Sequence, residues 1–205
     1  MVTKKQLGIS LSKLNKIKQP NLFLEQYTTD SEIASEILWH AYLNNDIENK
    51  TIADFGSGNG IFAYGSLMLG AKKIYAIDID KFSLETAKSN IKDKNVIFLH
   101  QDIKDFNKKI DTIIQNPPFG TKDIHADSLF LKKAMQLADN IYSLHKTSTE
   151  KFIEKLAEKN SFKIVSRLFF NFPIKHSFKF HKKPVKFVEV TCFVLKRIVL
   201  PKNLY

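Results

Sequence analysis

The 205-residue sequence has few residues of several kinds, and each scarcity excludes a class of protein. A single cysteine, Cys192, excludes an intramolecular disulfide framework and a cysteine-based zinc site, and it favours a reducing, cytoplasmic location. Seven glycines and six prolines are too few for a fibrous or low-complexity protein. No run approaches the roughly 18 consecutive apolar residues that span a bilayer, and no apolar segment follows Lys4 and Lys5 as in a signal peptide. The length predicts one domain.

Acidic residues are also scarce, because 21 Asp and Glu stand against 32 Lys and Arg and leave a net charge of +11. The excess is uneven: residues 1–20 carry +5, residues 21–150 carry −4 and residues 151–205 carry +10. A basic surface attracts polyanions such as nucleic acid. The pattern therefore predicts an acidic catalytic body between two ends that face a polyanion.

Apolar runs and helical periodicities alternate along the chain. A basic amphipathic helix is predicted over Leu7–Ile17, and a second helix begins after Asp30. Strands are predicted at Thr51–Phe55, Lys73–Asp80, Val96–His100, Asp111–Gln115, Asn140–Leu144, Phe162–Phe172 and Phe187–Val199. Helices are predicted at Gly60–Leu69, Phe82–Lys92, Asp127–Ala138 and Ser148–Lys159. This alternation predicts an α/β Rossmann-like fold, with a seven-stranded, mostly parallel sheet, helices on both faces and a C-terminal antiparallel hairpin.

The same pattern divides the single domain into three parts. Residues 1–50 are predicted to form a helical N-terminal extension, residues 51–160 the cofactor-binding and catalytic core, and residues 161–205 the hairpin with its basic loop.

A glycine-rich turn follows the first predicted strand. The candidate cofactor residues in it are Asp54, Gly56, Ser57, Gly58, Asn59, Gly60 and Ile61. Glycine tolerates the left-handed backbone that lets a loop approach a ligand. The spacing is G-x-G-x-G rather than the G-x-G-x-x-G of dinucleotide enzymes, and on its own it also suits a tight strand–helix turn.

Acidic residues end the next two strands and favour the cofactor interpretation. Asp78, followed by Ile79, can accept hydrogen bonds from ribose hydroxyls, and Asp102 with Ile103 can contact an adenine ring. Each aspartate alone is more typical of a helix N-cap. Together they repel phosphates and suit S-adenosylmethionine, which carries a sulfonium and no phosphate.

The tetrapeptide Asn116-Pro117-Pro118-Phe119 ends the fourth strand and is the most specific motif in the sequence. Prolines stiffen the segment and leave its carbonyls free. The Asn116 side-chain oxygen and the Pro117 carbonyl can accept the two N–H groups of an exocyclic amine, and Phe119 can stack on the base. Such positioning suits methyl transfer to a planar amine. The alternative is a purely structural Pro-Pro turn.

The C-terminal third interleaves aromatic and basic residues. The candidates for contacting RNA are Phe178, Lys179, Phe180, His181, Lys182 and Lys183. Aromatic rings stack on unpaired bases while lysines contact phosphates. A solvated basic loop is the alternative. The six histidines are scattered without ligand spacing, so no bound metal is predicted.

These motifs resemble the class I, S-adenosylmethionine-dependent amino-group methyltransferases. More narrowly, the chain is similar to the ribosomal-RNA adenine-N6 methyltransferases of the methyltransferase-like-five type in archaea and eukaryotes. The matching segments are LEQYTT (24–29), ADFG (53–56), DID (78–80), NPPFGTK (116–122), IYSLHK (141–146) and KFHKK (179–183).

The resemblance implies that Gln26 and Thr29 reach the methionine end of the cofactor. It implies adenine N6 in small-subunit ribosomal RNA as the target, and a small zinc-binding activator subunit along a sheet edge. The chain departs from the family pattern at Thr28, where proline is usual, and at Ser57 and Asn59, where cysteine is usual.

Three alternatives remain open at this point. A protein-glutamine N5 methyltransferase uses the same tetrapeptide, because a carboxamide resembles an exocyclic amine, although residues 1–50 leave little room for its extra helical domain. A catalytically silent RNA-binding subunit could keep the fold, which the intact Asn116–Phe119 segment disfavours. Guanine N2 or cytosine N4 could replace adenine N6, since the tetrapeptide recognises an amino group.

Overall fold

The computed structural model describes residues 2–18, 21, 27–119, 126–175 and 185–198. Helices and strands alternate through most of this range. The helices are α1 Lys4–Ser12, α2 Ser31–Leu43, α3 Ile61–Met68, α4 Lys81–Asn90, α5 Ala126–Leu137 and α6 Glu150–Lys159. The strands are β1 Thr51–Phe55, β2 Lys73–Asp78, β3 Val96–His100, β4 Ile110–Gln115, β5 Ala138–Lys146, β6 Phe162–Lys175 and β7 Val185–Arg197.

The seven strands form one sheet in the order β3-β2-β1-β4-β5-β7-β6. The first five positions in this order are parallel, whereas β7 runs antiparallel to β5, and β6 antiparallel to β7. The predicted mostly parallel sheet with a C-terminal hairpin is confirmed. Parallel β1, β4, β2 and β3 all end at one edge, where open α/β sheets bind ligands.

Two apolar layers cover the sheet. On one face, α1, α2 and α3 bury side chains such as Leu7, Ile37 and Phe62. On the other face, α5 and α6 bury Leu131 and Ile153 against the same strands. The parallel strands are buried on both sides, which explains why their sequences are continuous apolar runs rather than alternating ones.

Helix α1 is shorter than the periodicity predicts. It ends at Ser12, and the Asn15 N–H donates to the Asn90 side chain instead of to the helical carbonyl four residues earlier. Ile17 therefore lies outside the helix, so the predicted extension of α1 to this residue is wrong. The helical spacing of Leu14 and Ile17 reflects burial against other elements, which local periodicity cannot distinguish from a helix.

The C-terminal hairpin extends past the rest of the sheet. Lys146, the last residue of β5, pairs with Val190, and residues 185–189 of β7 pair only with residues 171–175 of β6. Five residues of strand span about 17 Å. The hairpin thus projects beyond the carboxyl ends of the parallel strands, on the side of the sheet next to β5.

Candidate active site at the carboxyl edge of the sheet

A cavity of about 260 Å³ opens where the parallel strands end. Sequence-predicted residues in its lining are Thr29, Gly56, Ser57, Gly58, Asn59, Ile61, Asp78, Ile79, Asp102, Ile103, Asn116 and Pro118. The fold therefore brings together side chains that are separated by up to 89 positions in the chain. Convergence of four strand ends on one cavity is the arrangement expected for a nucleotide-type cofactor.

The glycine turn at the base of this cavity is held open by backbone hydrogen bonds. Gly56, Gly58 and Gly60 have φ of 67°, 54° and 82°, a region that favours glycine. The Gly56 N–H donates to the Ile77 carbonyl at 2.9 Å, and the Gly58 N–H donates to Asp78 Oδ2 at 2.8 Å. The loop is thus tied to the end of β2.

Gly60 shapes the turn from behind rather than lining the cavity. A Cβ at this position would lie 3.0 Å from Ile91 Cδ1 and 3.1 Å from Ala87 Cβ. Glycine is therefore required both by the left-handed φ and by the close approach of α4.

Asp54 likewise supports the turn from below. It is buried, it is absent from the cavity lining, and its Oδ2 accepts the Ala63 N–H of α3 at 3.0 Å. Burial raises the pKa of Asp54 to about 8, although the Ala63 hydrogen bond opposes the rise. We therefore assign Asp54 to support of the glycine turn. This position differs from the predicted one, in which Asp54 contacts the cofactor.

Asp78 is the buried carboxylate that faces the cavity. Oδ1 accepts the Asp80 N–H at 2.9 Å, and Oδ2 accepts the Gly58 N–H. Because a carboxylate offers about four acceptor positions, both oxygens retain capacity for ribose hydroxyls. Burial raises the pKa of Asp78, and the two backbone donors counteract this rise.

Asp102 lies at the end of β3 and combines the two roles that its sequence position permits. Its Oδ1 accepts the Lys104 N–H at 2.9 Å and so caps the 3-10 turn Ile103–Asp105. Its Oδ2 lies 3.6 Å from Lys104 Nζ, and both residues line the cavity. The carboxylate is thus an N-cap and also one wall of the candidate cofactor site.

Asn116 directly follows β4, and only the nitrogen of its side-chain amide makes a hydrogen bond to a described residue. Its Nδ2 donates to Thr29 Oγ1 at 3.1 Å, whereas its Oδ1 is buried and has no hydrogen-bond partner among the described residues. A buried, unpaired acceptor costs free energy unless a ligand or water satisfies it. Its position in the cavity lining identifies the point where a donor group would bind.

The remainder of the tetrapeptide is divided between cavity and core. Pro118 lines the cavity, whereas Pro117 is buried and does not. Phe119 is only 7% exposed and meets Phe172 of β6 edge-on, with ring centroids 5.6 Å apart. The structure thus places Phe119 in the packing between the tetrapeptide and the hairpin, and its predicted stacking on a base stays a prediction.

A buried polar network stiffens the strands behind Asn116. Gln115 Nε2 donates to Ser143 Oγ at 2.8 Å, and Ser143 Oγ lies 2.7 Å from His145 Nε2. The His145 Nδ1 atom is 3.6 Å from Asp127 Oδ2 at the start of α5. This network of polar contacts holds the end of β4 in one position relative to β5 and α5.

Several predicted site residues lie outside the described part of the chain. They are Gln26, Phe178, Lys179, Phe180, His181, Lys182 and Lys183.

The structure also adds lining residues that the sequence did not single out as a site. They are Ile17, Tyr27, Thr28, Phe62, Lys104, Leu129 and Phe130. Tyr27 and Thr28 belong to a recognisable motif, whereas Ile17 and Phe130 carried no signal beyond hydrophobicity.

The lining fits S-adenosylmethionine better than a phosphate-bearing cofactor. It combines apolar side chains with two carboxylates, and its one described lysine, Lys104, is already close to Asp102. Acidic walls favour a sulfonium and an ammonium group and disfavour phosphates. Among the described residues, no cluster of His, Cys, Asp or Glu could hold a metal ion, and no described helix is long and apolar enough to cross a membrane.

Comparisons with known proteins show the family of the chain. A family model of ribosomal protein L11 methyltransferase (PrmA) matches residues 34–158. The rRNA N(6)-adenosine-methyltransferase METTL5 of Danio rerio is 35% identical over 91% of this chain and 95% of its own length. The Drosophila melanogaster Mettl5 protein is 36% identical, over 84% and 86% respectively. The chain belongs to the METTL5 family of methyltransferases.

A crystal structure supports the same family at the level of the fold. A candidate RNA methyltransferase from Pyrococcus horikoshii superposes with a TM-score of 0.91 at 38% identity, and covers 97% of this chain and 100% of its own. The predicted class I methyltransferase fold and family are thereby confirmed. The METTL5-family protein described here is a methyltransferase, and S-adenosylmethionine is its methyl donor.

Proposed function

We propose that this METTL5-family protein transfers a methyl group from S-adenosylmethionine to adenine N6 in RNA, with small-subunit ribosomal RNA as the target. One observation carries the proposal. The buried Asn116 Oδ1 has no hydrogen-bond partner among the described residues, and Asn116 lines the same cavity as Asp78 and the glycine turn. An acceptor in this place suits an amine donor, and it lies beside the candidate cofactor pocket.

Asn116 acts by orientation in this proposal. Its Oδ1 accepts one N–H of the exocyclic amine, and the Pro117 carbonyl accepts the other, so that the nitrogen lone pair points along the line of transfer. The Thr29 hydroxyl fixes the amide by accepting from Nδ2. The cofactor supplies the electrophilic methyl group. A strong general base is unnecessary, because the amine becomes acidic only as its new bond forms, and in-line positioning supplies much of the rate.

The projecting hairpin provides a surface for RNA in this proposal. Phe169 and Phe187 are 64% and 63% exposed and lie on the same face of the paired strands β6 and β7. The connecting sequence 176–184 carries three lysines and no acid, counting His176 and His181 as neutral. Exposed rings beside basic side chains are typical of single-stranded RNA binding.

Four further expectations belong to the proposal. The chain works as one domain with the divisions 1–50, 51–160 and 161–205. Gln26 and residues 178–183 complete the cofactor and RNA contacts. The protein acts in the cytoplasm. A small zinc-binding activator subunit pairs with a sheet edge.

A protein substrate is the second candidate, because the matched PrmA model is that of a protein methyltransferase. The model match ends at residue 158 and so leaves out the hairpin. The hairpin carries much of the basic excess of the chain, which favours RNA over a protein as the substrate.

The test is to incubate the protein with methyl-labelled S-adenosylmethionine and either deproteinised small-subunit RNA or the ribosomal proteins. We expect label in N6-methyladenosine after digestion of the RNA to nucleosides. Label confined to protein would contradict the proposal, and label in a different nucleoside would correct the base. The Asn116→Ala variant, run in parallel, identifies background methylation.

A further inference from the structure

Asn90, the last residue of α4, joins two segments that are distant in the sequence. Its Oδ1 accepts the Asn15 N–H at 2.8 Å, and its Nδ2 lies within hydrogen-bond distance of the carbonyls of Asn15 at 3.1 Å and Asn59 at 3.0 Å. Asn15 belongs to the segment after α1, and Asn59 belongs to the glycine turn. One side chain therefore fastens the N-terminal segment to the cofactor loop.

Asn59 strengthens this junction from the loop side. It is 4% exposed, and its Nδ2 donates to the Asn15 carbonyl at 3.1 Å. The Asn15 carbonyl thus receives two amide donors, while the Asn15 N–H is satisfied by a third contact. We call this cluster of Asn15, Asn59 and Asn90 the asparagine clip.

The clip places Ile17 in the cavity wall. Ile17 follows Asn15 by two residues and lines the cavity, and its Cδ1 lies 3.9 Å from the position that a Cβ on Gly58 would occupy. Tyr27 and Thr28 also contribute to the lining. Ile17 therefore adds apolar surface directly beside the glycine turn.

Helix α1 does not depend on the clip for its own attachment. Leu7 and Leu11 are buried in the core, Lys4 pairs with Glu36 of α2, and Thr3 with Gln6 forms a capping box. These contacts anchor the helix upstream of Asn15. The hydrogen bonds of Asn90 consequently act mainly on residues 15–17 and on the turn beneath them.

We propose that Asn90 is a positioning residue for the cofactor: through the asparagine clip it holds Ile17 against the glycine turn and so sets how tightly S-adenosylmethionine is retained. The inference rests on the cofactor site described above and is independent of the methylated substrate. It predicts that loss of the clip weakens cofactor binding while the methyl-transfer step at Asn116 is unchanged.

The experiment measures S-adenosylhomocysteine binding by calorimetry, without RNA, for the full chain and its variants. We expect Asn90→Ala to raise the dissociation constant about fivefold, the equivalent of one net hydrogen bond. The KM for S-adenosylmethionine should rise in parallel, with kcat unchanged. The Thr86→Ala variant, which removes a hydroxyl that donates to the Phe82 carbonyl within α4, is the matched control and should bind like the parent.

A double-mutant cycle separates positioning from general destabilisation. Ile17→Ala should also weaken binding about fivefold through lost apolar contact. If Asn90 acts through Ile17, the Asn90→Ala/Ile17→Ala protein should bind about as weakly as either single variant. Multiplied effects, about 25-fold in the double variant, would overturn the proposal, as would unchanged binding in Asn90→Ala.

Asp78→Ala shows which idea fails if the clip variants have no effect. Loss of binding in Asp78→Ala together with parental binding in Asn90→Ala would contradict the clip alone. Parental binding in both variants would contradict the cofactor site as well. Thermal unfolding of each variant in the absence of ligand should show that the measured proteins are folded.

Discussion

At the scale of single residues, Asn116 combines a satisfied donor with an unsatisfied acceptor. We expect Asn116→Ala to lower kcat by about two to three orders of magnitude, the usual cost of one oriented hydrogen-bonding group at a reacting centre. Cofactor affinity should change little, because Asp78 and the glycine turn are untouched. Single-turnover methylation and calorimetry measure the two quantities.

Asn140→Ala is the matched control for that substitution. Asn140 lies near the start of β5, at the edge of the sheet opposite to Asn116. Its side-chain amide donates to the Asp111 carbonyl. Its loss should leave both kcat and cofactor affinity near the parental values. A drop in cofactor affinity that matches the drop in kcat for Asn116→Ala would contradict the assigned role of Asn116.

Asp54 predicts a dependence of stability on pH. Burial raises the pKa of Asp54 to about 8 in the folded chain, against an ordinary value of 3.8. Between these values the folded state binds a proton that the unfolded state releases, so the contribution of Asp54 to stability decreases as pH rises. The parent should therefore lose stability relative to Asp54→Asn from pH 5 to pH 8, as measured by urea unfolding. A stability difference that stays constant between pH 5 and pH 8 would show that Asp54 is ionised beneath α3.

Sequence reasoning located Asp78, Asp102 and Asn116 because a strand end fixes where a side chain emerges. It could not locate Ile17 or Phe130. Their apolar side chains carry no chemical signature, and tertiary contacts alone bring them to the cavity. The same limit applies to Asp54. Its position beside the glycine motif predicted a contact with the cofactor, but its tertiary neighbours make it a support beneath the loop.

At the scale of elements, strand positions were predictable because buried parallel strands are short apolar runs with clear ends. The hairpin was predictable only in part. Runs of phenylalanine in β6 and β7 indicate core residues, yet Phe169 and Phe187 are exposed on the paired strands. Their exposure follows from β6 being the edge strand and from the hairpin extending past β5, features of topology that no local pattern records.

The two exposed rings of the hairpin predict a defect in RNA binding. Replacing both Phe169 and Phe187 with alanine should weaken RNA binding about tenfold or more, since a stacked base contributes about 1–3 kcal/mol. Cofactor affinity should be unchanged. Phe82→Ala, which removes a ring that is 71% exposed on α4, is the control and should bind RNA like the parent. Equal losses in both proteins would indicate a non-specific effect of surface aromatics.

At the scale of the whole molecule, charge is separated from the cofactor site. The middle of the chain is net acidic, and the basic excess lies at residues 1–20 and 151–205. The described cavity is walled by Asp78 and Asp102, whereas the hairpin leads into a sequence rich in lysine. One polypeptide thereby offers opposite electrostatic environments to a cationic cofactor and to a polyanionic substrate.

This separation predicts two different responses to salt. RNA affinity should fall at least about tenfold between 50 and 200 mM salt, because each lysine–phosphate contact releases a counterion. Affinity for S-adenosylhomocysteine should change far less over the same range.

Replacing Lys182 and Lys183 with glutamine should reduce the slope of log K against log salt by about 1.4, at roughly 0.7 for each single-strand phosphate contact. Glutamine at Lys92 and Lys94, exposed residues that precede β3 at the opposite edge of the sheet, should leave the slope unchanged. Equal slopes for the two double variants would place the RNA on a surface other than the hairpin.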